Sequence, residues 1–207
     1  MRRLYFAAAL AVASVSAQAN IFNTLSASAT IDNVAAPAVV LTPVEAGNSY
    51  KLNVQNFTLF GANADFGDIA WAFTFNSPVQ YDWVKYTIRG CISSTDQNQA
   101  VGGVVGDETI FDTNANVVGQ GAIGPIDVDS NADGSAAKFC LSVIVPISPA
   151  ETTGEVLKDN FIIAFSDNAV VKVTSIDQCF HPVPEPASMA VLGMGVVGLI
   201  ARRRKKA

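Results

Sequence analysis

Apolar residues follow two different rules along this chain. Near the ends they run together almost without a break, from Leu4 to Val15 and from Ala187 to Ala201. Between those runs they alternate with polar residues, the period of half-buried β-strands. Tyr50, Leu52 and Val54 alternate with Lys51, Asn53 and Gln55, and the phase shifts at Asn56, which predicts a bulge or a strand break there. Ile69, Trp71, Phe73 and Phe75 form one apolar face and Val84, Tyr86 and Ile88 another, with Ser77-Pro78 between them, so residues 69–89 are expected to form a hairpin. Ala137, Phe139, Leu141, Val143 and Val145 alternate up to Pro146. A final pair, 160–165 and 170–176, is joined by Ser166-Asp167-Asn168. An edge strand is expected around residues 38–41. Residues 91–125, full of Gly and Asn, read as loop with one strand near Thr109-Ile110-Phe111. No segment between 20 and 180 has helical periodicity. The fold expected for residues 20–180 is all-β, an antiparallel β-sandwich (jelly-roll-like) of roughly seven to ten strands.

The two apolar runs carry their own flanking chemistry. Met1-Arg2-Arg3, the run to Val15 and the small-residue site Ala17-Gln18-Ala19 make a secretory signal peptide over residues 1–19, with signal peptidase expected to cut after Ala19. At the other end, a linker over residues 181–186 contains Pro184, Glu185 and Pro186. The apolar stretch 187–201 and the basic end Arg202, Arg203, Arg204, Lys205 and Lys206 follow it. A helix of 15 residues spans about 22 Å against about 30 Å of bilayer hydrocarbon, short for a transmembrane helix unless basic side chains extend its reach to the headgroups. The basic cluster is expected to stop transfer and remain cytoplasmic.

Val183-Pro184-Glu185-Pro186, the short apolar stretch and the terminal basic cluster, in that order, resemble the PEP-CTERM sorting signal found with exosortase-type membrane proteases. The resemblance covers Val183 to Ala207. It implies that an exosortase reads Pro184, Glu185 and Pro186, cleaves nearby and removes the helix. It also implies an exported protein of a Gram-negative bacterium, held in the inner membrane as a precursor and then placed at the cell surface or in the matrix. Similar proteins are associated with extracellular polysaccharide and biofilm. Two prolines so close together keep the segment extended, as a protease substrate must be.

Removing both ends changes the charge. Of 13 Lys and Arg residues only 6 lie between the signal and the tail, against 18 Asp and Glu, a net of −12 for the exported part. That argues against nucleic acid or an anionic membrane surface as a partner. Cys91, Cys140 and Cys179 allow one disulfide in an exported protein, and a cross-strand Cys91–Cys140 bridge is the preferred pairing.

Candidate chemistry is sparse. Asp127, Asp129, Asn131 and Asp133 followed by Gly134 resemble a calcium loop, although the twelfth position from Asp129 is Cys140 where a bidentate Glu belongs; a polar turn needs the same residues. Tyr81 and Trp83 share a phase opposite Val84, Tyr86 and Ile88, and could form an aromatic platform for a sugar ring. Gly119 to Gly124 spell a dinucleotide-type glycine motif, but no helix follows it. The sole histidine, His181, lies in the linker, so neither a nucleophilic triad nor a zinc site is expected. The expectation is a non-enzymatic surface protein without a cofactor other than possible calcium. The alternatives are a carbohydrate- or calcium-binding adhesive module and, last, a carboxylate-based hydrolase.

Overall fold

Ten strands form in the computed structural model, which describes residues 20–184 except 33, 37 and 62–65. They are β1 (Phe22–Ile31), β2 (Val34–Ala35), β3 (Val40–Ala46), β4 (Ser49–Gln55), β5 (Thr58–Phe60), β6 (Phe66–Ser94), β7 (Val101–Phe111), β8 (Val117–Asp129), β9 (Ala137–Ala164) and β10 (Ala169–Pro182). The signal peptide, the transmembrane stretch 187–201, Glu185, Pro186 and the basic cluster lie outside the described residues. Among the described residues no helix is long and apolar enough to cross a membrane.

Every strand pairing is antiparallel, in the order β3-β4-β10-β6-β9-β7-β8, with β1 on β6 and β5 on β10. What turns this sheet into a sandwich is the length of β6 and β9, 29 and 28 residues. Residues 66–76 of β6 pair with β1 and with residues 153–163 of β9; residues 83–92 pair with residues 137–146 of β9 and belong to the half of the strand that bonds β10. The register shifts between Asn76 and Tyr81 and again between Tyr81 and Trp83. Bulges of this kind bend a strand and let one strand serve two layers. One layer holds β3, β4 with β5, β10 and the adjoining halves of β6 and β9. The other holds β1, the remaining halves of β6 and β9, β7 and β8.

The inner faces meet in an aromatic core. Trp71, Phe73 and Phe75 on one layer are essentially unexposed and pack on Tyr50 and Phe180 of the other, with ring centroids 5.1 Å apart for Trp71–Tyr50, Phe73–Tyr50 and Phe75–Phe180. Phe22 of β1 joins both, 5.0 Å from Tyr50 and 5.2 Å from Phe180. Such pairs each add about 0.5–1.5 kcal/mol beyond area burial. The sandwich therefore depends on β10 as much as on β6.

The all-β antiparallel sandwich expected from alternation is present, and so is the break at Asn56, which takes a left-handed φ of 65° and separates β4 from β5, both of them bonded to β10. Several local expectations are corrected. The halves of the expected 69–89 hairpin do not pair with each other: Ser77-Pro78 lies within one continuous bent strand, and both flanks bond to β9. Pro146 does not end its strand, since β9 bends there and continues. The segment 160–165 does not pair with 170–176; the Ser166–Asn168 turn carries the chain from one layer to the other. Residues 91–125, expected to be loop with one strand near Thr109-Ile110-Phe111, instead supply β7 and most of β8, which pair and are closed by a turn in which Asp112 Oδ1 accepts from the amides of Asn114 and Asn116 at 2.8 Å. His181 and Pro182 belong to β10, not to a linker.

Candidate functional site

The second layer presents an outer face built from the polar phase of its strands. Two cross-strand rows define it: Ser28, Ala70, Asp159 and Asp107, then Ser26, Ala72, Leu157 and Thr109. The β1 and β6 positions in both rows are small, because β6 carries its bulk inward at Trp71 and Phe73. A depression of about 440 Å³ results, with Asp68, Asp107, Thr109 and Asp159 around it. It adjoins a second of about 450 Å³ between Thr74, Phe111, Thr153 and Glu155, and Leu157 lines both. Carboxylates and hydroxyls beside small apolar side chains and a 41% exposed leucine make an amphipathic groove, able to fix hydroxyl groups while an apolar face rests on Leu157. Burial and a hydrogen bond with Asp159 push the Asp68 carboxyl up to about 7. The sequence reading missed this groove. Its signal is the run Asp68-Ala70-Ala72-Thr74, small residues in phase opposite a row of large aromatics.

Beneath the groove lies a buried polar cluster, also missed. Lys158 and Glu108 stand directly opposite each other on β9 and β7, both unexposed, with Nζ 2.5 Å from Oε2. The ammonium lies 3.3 Å from the centroid of the Tyr86 ring of the facing layer. The Tyr86 hydroxyl donates to Asn160 Oδ1, and Asn160 Nδ2 donates to the Ile69 carbonyl at 2.6 Å. Desolvation pushes the Lys158 ammonium down and the Tyr86 phenol up.

The expected aromatic platform does not form. Tyr81 falls inside the bulged segment of β6, which turns its side chain into the core against Phe75 and Phe180, and its hydroxyl donates to Asn48 Oδ1 at 3.2 Å. Trp83 stays on the outer face of the first layer, where its ring stacks on His181 at 4.4 Å and 10°. His181 Nδ1 lies 2.8 Å from Asp82 Oδ1. Two residues further on, the Val183 amide donates to the Gln80 carbonyl at 2.8 Å. The end of β10 is thus tied to β6 on both sides of Pro182.

The other candidates are placed apart. Asp127 and Asp129 lie on β8, opposite Gly103 and Val101. Asn131 and Asp133 shape the turn that follows: Asp133 Oδ1 accepts from the Ser135 amide, and Asn131 Nδ2 donates to Ser135 Oγ. Among the described residues no group of three or more His, Cys, Asp or Glu side chains is placed to hold a metal ion. The expected Cys91–Cys140 bridge is not made, and all three cysteines are free. Cys91 pairs with Lys138 and Cys140 with Arg89, so the two are diagonal neighbours, about 7–8 Å apart where a disulfide needs no more than about 6.8 Å between Cα atoms.

No curated protein is detectably similar in sequence. Among solved structures, a carbohydrate-binding module studied for specific mannan recognition is similar at 12% identity and a TM-score of 0.35, over 77% of this chain and 88% of that one. A carbohydrate-binding module in complex with β-1,4-galactotriose is similar at 10% identity and a TM-score of 0.34, over 75% and 88%. The enzymatically active domain of tailspike protein 4 from bacteriophage CBA120 is similar at 11% identity and a TM-score of 0.31; 78% of this chain is covered, and it spans 19% of that chain. One family model matches, and it begins at the last residue of β10: residues 182–205 are a PEP-CTERM protein-sorting motif.

Proposed function

We propose that this chain is the precursor of an exported, non-enzymatic surface protein whose C-terminal motif is read and cut by an exosortase-type membrane protease. The motif at residues 182–205 carries this reading. It implies export and a membrane-anchored precursor, with the β-sandwich as the part that is delivered. The test is the mass of the mature C-terminus after expression with and without an exosortase. A chain shortened near Pro184-Glu185-Pro186 is expected only with the protease, and a tail intact to Ala207 in its presence overturns the reading.

A second reading concerns what the delivered domain does. The amphipathic groove over β1, β6, β9 and β7 favours binding of an extracellular polysaccharide chain. Ala72→Arg would fill its floor without touching the core, since Ala72 faces away from Trp71 and Phe73. Loss of retention on a polysaccharide column with an unchanged melting temperature is expected; retention equal to the parent chain's sinks this reading.

A further inference from the structure

We infer that the end of β10 is a clasp that positions the sorting motif and sets the rate at which it is cut. The inference rests on the sorting reading above. Phe180 is anchored in the core, 5.0–5.2 Å from Phe22, Phe75 and Tyr81. The next residue, His181, is held by the Trp83 ring and by Asp82, and Val183 by the Gln80 carbonyl. The matched motif begins at Pro182, so fold and motif overlap and nothing separates them.

Two consequences follow from chain geometry. A protease that binds an extended substrate needs the backbone N–H and C=O groups on both sides of the motif, and those N-terminal to it are engaged by β6. Reach is limited too. From Val183 to Ala187, where the apolar stretch begins, there are four residues, at most about 14 Å of extended chain. The interfacial layer on one side of a bilayer is about 5–8 Å thick. With Ala187 at the hydrocarbon boundary, the β10 end of the sandwich therefore rests close above the headgroups, and there is little free chain for the protease to grip. Release of His181–Val183 from β6 supplies it. Trp83, Asp82 and Gln80 are positioning residues in this scheme, since they act through the segment next to the motif.

Trp83→Ala removes the stack that holds His181. A stacked pair is worth about 0.5–1.5 kcal/mol, which converts to a roughly two- to twelvefold larger population of the released end. The full precursor, co-expressed with an exosortase-type protease, is followed by pulse-chase with mass detection of the cut product. The exchange rate of the Val183 amide is measured on the same precursor. The expected result is processing and Val183 exchange both two- to twelvefold faster for Trp83→Ala, near-parent rates of both for Trp83→Phe, which keeps a stacking ring, and no processing of Glu185→Ala. If Glu185→Ala blocks processing but Trp83→Ala is cut at the parent rate, the clasp is overturned and the sorting reading stands. If Glu185→Ala is cut like the parent chain, the sorting reading falls and the clasp with it. Faster processing of Trp83→Ala without faster Val183 exchange also overturns the clasp, because the acceleration would then come from elsewhere in the fold.

Discussion

Lys158 and Glu108 pose the sharpest question at the scale of single residues, because neither touches solvent and one carboxylate oxygen of Glu108 has no hydrogen-bond partner. Taking two charges out of water costs several kcal/mol per ion, and a single short contact returns that only in part. The Tyr86 ring face offsets some of the remainder. Removing one partner leaves the other charge buried and alone, so Lys158→Met should destabilise by about 3–5 kcal/mol in urea unfolding. The double variant Lys158→Met with Glu108→Leu should recover most of that loss; a double variant as unstable as the single one would mean the pair itself is strongly favourable. Asp68 gives the pH dependence. Its carboxyl is raised from 3.8 to about 7 in the fold, first by desolvation and then by Asp159. The folded state therefore holds a proton that the unfolded chain has released, and the stability from this group is full below about pH 4 and lost as pH rises through 7. The parent chain should melt higher at pH 5 than at pH 8, and Asp68→Asn should remove that difference. Asp96, Asp112 and Asp133, lowered by turn hydrogen bonds, act in the opposite sense and only in more acid solution.

Among the elements, the break between β4 and β5 shows how one residue sets a strand's course. Asn56 adopts a left-handed backbone, and its side-chain amide donates to the Ala38 carbonyl at 3.2 Å. Asn56→Val puts a branched side chain at positive φ and should cost about 1–2 kcal/mol, while Asn56→Gly should stay within a few tenths; thermal or urea unfolding separates the two. This break was legible because it interrupts an alternation that is clean on both sides. The bend of β6 was not. Ser77-Pro78 fits a turn as well as a bulge, and local pattern cannot reveal that both flanks share the partner β9. The same bulge shifts the phase, which is why Tyr81 turned inward while Trp83 stayed outside. β7 and β8 were hidden by their glycines, which dilute the strand signal. Gly106 shows why they are there: a Cβ at that position would lie 2.2 Å from the Tyr86 hydroxyl. The buried Lys158 and Asn160 stand in phase with Val156 and Ile162, a pattern hard to read because charged residues are rarely fully buried. The groove shares this cause, since its floor is defined by what β6 lacks on its outer face.

For the whole molecule, the decisive relation is between where the sandwich ends and where the sorting motif starts. Phe180 touches Phe22, Phe73, Phe75 and Tyr81, and so ties the last strand to both layers. Val183, three residues later, makes the last backbone hydrogen bond to β6 among the described residues. A chain of residues 20–184 keeps every one of these contacts and should unfold in a single cooperative transition. A chain of residues 20–178 loses Phe180, and replacing a buried Phe by Ala alone typically costs about 3–5 kcal/mol. It also loses the pairing of Cys179 to Pro182 with β6, against a total stability of about 5–15 kcal/mol for a domain. That shorter chain should show no cooperative transition in urea. Six residues then separate a folded product from an unfolded one, and the motif lies on the permissive side of that boundary. Cleavage beyond Pro184 removes none of the contacts described for the sandwich, whereas cleavage before Phe180 would destroy what is being delivered. If the 20–178 chain unfolds as cooperatively and at the same midpoint as the 20–184 chain, then β10 does not close the sandwich, and the protease would have no structural reason to cut where the motif stands.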